Sequence, residues 1–486
     1  MAQQTRWSQF LVLITVFFFW GFVAASNDIL IPVFKKAFAL SQMQSMFVAF
    51  AFYVAYTVGS LVYFFTSKAI GADVLNRIGY KNGICLGLLI SAMGSLLFFP
   101  AANNGSFGLM LSGLFIVGLG FSLQQIAANP LAIVMGNPAT GAQRLTMAGG
   151  VNNFGTTIGP LLVSFAIFGS VVAGNTEASI ESVKIPYLVL GAAFVLVAVF
   201  LKFSSVPNHI DLEKLASQEA DDAGKLAHKP SAFGYPQLVL GMLAIFVYVG
   251  VEVSTIANLP AYLELPVEQG GLGLATAMIA PFVSLYWASL MIGRWAGAAG
   301  AFEVGLNAKR MLTVLLPYLA FGVFLAVNAI ARHEIAHFFT YGLVIVLMIA
   351  ATFASGGNPA RMLLYFALCG IVALLIGMFT TGMTSVVAFV SVGLFCSTMW
   401  PCIFALAITG LGRHTNQGSS LLIMMIMGGG VVSLTQGALA DRIGIHYSFI
   451  VGVLCFAYLA FYALAANRSL KSQGIDLDKL TAQGGH

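Results

Sequence analysis

Charge is scarce in this sequence. Only 8% of its 486 residues are Asp, Glu, Lys or Arg, against roughly 25% in soluble globular proteins. So few charges cannot cover a water-facing surface, which excludes a soluble enzyme, a disordered protein and a nucleic-acid binder. Cysteine is sparse as well. Cys85, Cys369, Cys396, Cys402 and Cys455 all lie in apolar stretches, and no pair has disulfide, metal-ligand or C-x-x-C spacing. They read as small, soft core residues, and no metal is expected. His209, His228, His333, His337, His414, His446 and His486 sit in loops, at the ends of apolar runs or in the tail, and form no catalytic set. The absence of a G-x-x-x-x-G-K-[ST] run disfavours ATP-driven chemistry, and the absence of an Arg-rich apolar run disfavours a voltage sensor. The chain is therefore expected to be neither an enzyme nor a holder of any cofactor.

Apolar residues are what the chain has in excess, at 59% with a mean hydropathy of +0.92. They fall into long continuous runs, and a bilayer span needs roughly 20 such residues. Runs are read at 11–33, 45–65, 82–100, 108–135, 143–170 and 185–203, then at 236–263, 275–302, 310–331, 338–354, 359–380, 384–409, 418–440 and 447–466. None alternates with period two, so a β-barrel is excluded and the chain is read as an all-α polytopic membrane protein. Fourteen spans are expected; twelve is the alternative if a kinked span is counted twice. The first run lacks a small-residue cleavage site after it and is read as a retained span, not a signal peptide.

The one long hydrophilic break covers 204–235, with Asp211, Glu213, Glu219, Asp221 and Asp222 beside Lys214, Lys225 and Lys229. It reads as a solvated tether between an N-terminal six-helix bundle, 1–203, and a C-terminal bundle, 236–466, followed by a tail at 467–486. Linker and tail are too short for a signalling domain. With the N-terminus inside, 17 of the 22 basic residues fall on the inner side; only Lys35, Lys36, Lys184, Arg332 and Arg442 fall outside. This asymmetry places both termini and the linker in the cytoplasm. The two halves share a weak parallel repeat: Met147-Ala148-Gly149-Gly150-Val151 recurs as Met427-Gly428-Gly429-Gly430-Val431, each after a Pro-containing span (Pro130, Pro401). Parallel halves across a central loop are the pattern of major facilitator transporters, two six-helix bundles with pseudo-two-fold symmetry. The stretches 71–81 and 437–444 loosely match the G-x-x-x-D-R-x-G loop of that superfamily, the second more cleanly but after a different span.

Polar groups at membrane depth are functional candidates because a charge there costs at least roughly 2.5–3.5 kcal/mol. Two carboxylates lie well inside spans. Asp28 follows Asn27 in the outer half of the first, and Glu252 is mid-span, on one helical face with Tyr248 and Thr255. These two are the proton-coupling candidates. The substrate-binding candidates are Asn27, Gln124, Gln125, Asn129, Asn152, Asn153, Tyr286, Trp287 and Trp400. The amides donate and accept as sugar hydroxyls do, and the aromatic faces suit the apolar side of a pyranose. Trp20, seven residues before Asn27, shares its face. The plainer reading of the amides is interhelical hydrogen bonding, and of the aromatics core filling. Gly155-x-x-x-Gly159-Pro160 reads as close packing. Arg294, near the cytoplasmic end of its span, reads as snorkelling or gating.

Asn27-Asp28-Ile29-Leu30, Ala127-Ala128-Asn129-Pro130, Tyr248-Val249-Gly250-Val251-Glu252 and Gln417-Gly418-Ser419-Ser420 together resemble the fucose/galactose/glucose–proton symporter family of the major facilitator superfamily. Gln124-Gln125, with Leu145-Thr146-Met147-Ala148-Gly149-Gly150 following, is most similar to its glucose/galactose branch in Gram-negative bacteria. The resemblance implies alternating-access uptake of a monosaccharide driven by protons across a bacterial inner membrane, by a protein functional as a monomer in the lipid bilayer. It places the family's first-span Asp on Asp28. The chain departs from the family at Gln125, where the fucose symporter has a titrating Glu, so coupling would rest on Asp28 with help from Glu252, or use Na⁺. A Gln of that symporter's fifth span falls near Gly149, which leaves sugar specificity open. A drug exporter of the same fold would have a cavity richer in aromatics than amides. The family has twelve spans, and the surplus is assigned to a peripheral helical hairpin at 338–380.

Overall fold

In a computed structural model the structure describes residues 6–71, 74–135, 141–168, 180–209, 231–298, 305–411 and 415–477. Most of the 204–235 linker, the last residues of the tail, His228, His414 and part of the 71–81 loop motif lie outside the described residues. So do the side chains of Arg144, Pro130 and the Gln417-Gly418-Ser419-Ser420 stretch apart from Gly418.

Fourteen helical spans among the described residues are long and apolar enough to cross a membrane. In chain order they are α1 (Trp7–Ala37), α2 (Gln42–Ser67), α3 (Tyr80–Asn103), α4 (Phe107–Asn129), α5 (Met147–Phe168), α6 (Ile180–Phe203), α7 (Pro236–Glu264), α8 (Thr276–Gly297), α9 (Leu306–Ile330), α10 (Ala336–Ser355), α11 (Pro359–Phe379), α12 (Gly382–Ile408), α13 (Leu421–Ile443) and α14 (Ile445–Ser472). Helix is the conformation these runs can take in hydrocarbon, because it satisfies every backbone group within the segment. Polar residues mark where spans begin. Ser106 Oγ accepts from the Leu109 amide, and Asn358 Oδ1 accepts from the amides of Ala360 and Arg361. Gly79 and Gly444 end the matching Arg-Ile-Gly turns of the two loop motifs with φ of 89° and 87°, a conformation that favours glycine.

The packing shows two related halves. In the first, α1 packs on α5, α2 on α4, and α3 on both α4 and α6. The same pairings recur in the second as α7 on α13, α8 on α12, and α11 on both α12 and α14. The spans without a counterpart are α9 and α10, and both have much of their surface outside the protein contacts. The surplus therefore sits one span earlier than the 338–380 hairpin. Of that expected pair only α10 is peripheral, while α11 is held between α12 and α14. Run length and hydropathy are the same for a core and a lipid-facing helix, so only the packing separates them.

The repeated glycine-rich segments lie where the halves meet. Gly149 and Gly150 of α5 face Arg294 and Trp295 near the end of α8. On α13, a Cβ at Gly430 would come 2.9 Å from Phe50 Cα of α2, and one at Gly437 would come 2.7 Å from Met46 Cγ. A Cβ at Gly428 would collide with the Phe246 carbonyl of α7. Gly155 and Gly159 abut the backbone of Phe18 and Phe22, which is the close packing of α5 on α1 that their spacing implies. Gly428→Ala is expected to lower stability by about 1–3 kcal/mol through overpacking. Gly149→Ala, whose Cβ would have Arg294 Nη1 at 3.6 Å as its nearest neighbour, should leave it near the parent value. Thermal unfolding in detergent compares the two.

Candidate functional site

The centre of the site is a bond between halves. Asp28 on α1 is 6% exposed, and its Oδ2 accepts a hydrogen bond from Trp287 Nε1 on α8 at 2.8 Å. An apolar pocket would leave a carboxylate oxygen without a donor at high cost, and an indole N–H is a donor that itself needs a partner when buried. A second tie lies beside it, where Ser284 Oγ of α8 donates to the Thr157 carbonyl of α5 at 2.7 Å.

Asn27, next to Asp28, accepts at Oδ1 from the Tyr187 hydroxyl at 3.2 Å, while its buried Nδ2 has no partner. Asn153 behaves in the same way. Its Oδ1 accepts from Arg294 Nη1 at 3.1 Å, across the halves, and its Nδ2 is buried without a partner. Two buried amide donors without acceptors are costly unless a ligand or water supplies one. Arg294 also lies within electrostatic reach of Glu252. Glu252 is half-buried in α7, beside the Tyr248 hydroxyl but outside good hydrogen-bond geometry with it. Tyr53 of α2 is within electrostatic reach of both Asp28 and Glu252. Tyr56, one turn on, accepts from Trp20 Nε1 at 3.1 Å and meets the side chain of Gln125.

Other candidates are turned away from this space. Gln124 is 1% exposed, and its Nε2 donates to Ser91 Oγ of α3 at 3.1 Å, which makes it a tie inside the first half. Asn152 donates from Nδ2 to the Phe17 carbonyl at 3.0 Å and fastens α5 to α1. Tyr286 is fully buried and donates to the Glu252 carbonyl at 2.6 Å, which sets α8 against α7. Each of these is a structural role where a binding one is expected from sequence. Gln125, Asn129 and Trp400 stay partly exposed at membrane depth, and Trp400 lies 6.1 Å ring to ring from Tyr248. The site residues missed in the sequence are Tyr53 and Tyr56. The tyrosines were legible as two hydroxyls one turn apart in an apolar span. Of the two readings of Arg294, snorkelling or gating, its turn inward to Asn153 across the halves leaves gating.

This geometry, two six-span sets joined at a polar centre, is that of a membrane transporter. The model of the Major Facilitator Superfamily matches residues 10–365, and the chain belongs to that superfamily. It is 35% identical over 457 residues to the glucose/galactose transporter of Brucella abortus biovar 1 (strain 9-941), covering 94% of this chain and 93% of that one. It is 27% identical over 478 residues to the L-fucose-proton symporter of Escherichia coli K12, covering 93% and 92%. The crystal structure of the fucose transporter in the outward conformation aligns with a TM-score of 0.57 at 25% identity, covering 94% and 98%. The D-xylose-proton symporter, at 12% identity and a TM-score of 0.60, shares the fold. The chain is thus a multi-pass membrane protein of the major facilitator fold.

The two neighbouring asparagines differ in what they face, and a double-mutant cycle reads this. Asn153→Ala and Arg294→Met are expected to couple by about 0.5–3 kcal/mol in thermal unfolding, whereas Asn152→Ala and Arg294→Met should add within about 0.5 kcal/mol.

Proposed function

We propose that the chain imports a monosaccharide, a glucose- or galactose-like hexose or fucose, by proton symport through alternating access across a bacterial inner membrane. The carrying observation is the Asp28–Trp287 hydrogen bond between halves, set beside the partnerless amide donors of Asn27 and Asn153. The glucose/galactose transporter and the L-fucose-proton symporter, both sugar carriers, support the substrate class. Proton coupling draws its support from the fucose-proton symporter alone.

Asp28 takes a proton from the outer side, which removes a charge that would otherwise be carried through the bilayer. Protonation also weakens its hold on Trp287, because a charge-assisted hydrogen bond becomes a neutral one. The sugar occupies the space bounded by Asn27, Gln125, Asn129, Asn153, Trp287 and Trp400, where its hydroxyls accept from the free amide groups and its apolar face meets an indole. The halves then rock about this centre, and sugar and proton leave inside. One charge moving through about 100 mV supplies roughly 2.3 kcal/mol. Gln125 holds a hydroxyl but does not titrate, so Glu252, near Arg294, is the second candidate for proton exchange. Both termini and the linker lie in the cytoplasm in this reading, which the excess of basic residues in the inner loops supports, and the protein works as a monomer.

The test is uptake of labelled glucose, galactose, fucose and mannose into proteoliposomes under imposed proton or Na⁺ gradients. Accumulation is expected with a proton gradient and lost with a protonophore. Asp28→Asn should abolish accumulation while retaining exchange, and Trp287→Ala should weaken sugar binding by about tenfold, the effect of losing one aromatic face. Accumulation by Asp28→Asn against a gradient would refute its role. Accumulation driven by Na⁺ and insensitive to protonophore would reassign the ion.

A further inference from the structure

The face opposite the N-terminus and linker carries a second set of ties between halves, and they converge on the start of α2. Gln42, at the start of α2, is 5% exposed. Its Nε2 donates to Asn258 Oδ1 of α7 at 2.8 Å, and its backbone amide donates to Asp441 Oδ1 at the end of α13, also at 2.8 Å. The next amide, that of Met43, donates to Asp441 Oδ2 at 2.9 Å. Both acceptors belong to the second half. From its own half, Gln42 Oε1 accepts from Lys35 Nζ at 2.5 Å. The Asn258 amide is fixed in turn, because its Nδ2 donates to the Ser254 carbonyl at 2.9 Å and the residue is fully buried. A few residues away Lys36 pairs with Glu264 at 2.9 Å, and Thr276 bonds both. The cleft beneath, between α1 and α7, is lined by Ile31, Pro32, Ala257 and Pro260 and holds only about 10 Å³, the room of one water at most.

We propose that Gln42 is the latch that closes the transport path on this face, with Asn258 and Asp441 as its two catches. The path cannot open here unless α2 parts from α7 and α13, and each of the three bonds from 42–43 crosses that line. The Gln42–Asn258 pair is buried, so parting it exposes two amides to water only after the cleft has widened. The Lys36–Glu264 pair is partly exposed, and such pairs contribute little on their own, so it is the rim of the gate and not its hold. Asp441 gives the second loop motif a use: it stands on the face opposite the 71–81 motif and accepts from the start of α2. The latch acts whatever solute is carried, so it stands apart from the sugar reading.

The experiment reads opening directly, with no sugar present. Ile31→Cys, 3% exposed beneath the latch, is labelled with a membrane-impermeant maleimide in right-side-out and inside-out vesicles, with the parent chain as blank. Added Gln42→Leu, and separately Asn258→Ala, should each speed labelling from this face about tenfold, the factor lost with one buried amide pair. Glu268→Gln, an exposed loop change on the same face, should not. The Gln42→Leu/Asn258→Ala double variant should label about as fast as the faster single variant, because both remove one contact. Unchanged labelling in both single variants at normal membrane levels overturns the latch, as does acceleration equal to that of Glu268→Gln.

Discussion

Hydrocarbon offers no hydrogen-bond partner, and every polar feature of this protein is arranged around that constraint. Each buried amide, hydroxyl or carboxyl must find its partner inside the protein. Most do so within one half, as Gln124 does with Ser91 and Asn152 with the Phe17 carbonyl. Others pair across the plane between halves, where Asp28 meets Trp287 and Asn153 meets Arg294. A transporter needs such a plane: contacts strong enough to hold one arrangement, yet few enough to be exchanged for contacts to a ligand.

Glycine makes that plane possible. On one side α5 presents Gly149 and Gly150 to the Arg294 and Trp295 side chains of α8, and on the other α13 presents Gly430 and Gly437 to α2. Faces that carry no side chain interlock little with the neighbour across the plane, so one half can move against the other with little to unpack. The polar ties are then left to choose among arrangements. Those at the centre involve a buried carboxylate, whereas those around Gln42 combine a buried amide pair with the exposed carboxylate of Asp441.

The resemblance carried by a few short motifs was matched by a family assignment spanning most of the chain, and the fourteen runs by fourteen helical spans. The pattern of apolar runs shows a helix's existence well because hydropathy is a property of the segment alone. It said little of neighbours. The surplus pair was read at 338–380, whereas α9 and α10 are the ones without counterparts, since α11 shares the packing place that α3 holds in the first half. The candidate site was legible only in part for the same reason. Gln124 and Gln125 are adjacent and chemically identical, yet a turn of 100° sends one to Ser91 and the other toward Tyr56.

The sequence by itself determined the class of protein, the number of spans and the two carboxylates held at depth, because each depends on composition along one run. Tertiary structure alone decided which polar groups meet. Trp287 with Asp28, Arg294 with Asn153 and Gln42 with Asn258 are separated by more than a hundred residues of chain. Their pairing is set by how two bundles bury complementary faces against each other, and no local pattern encodes that.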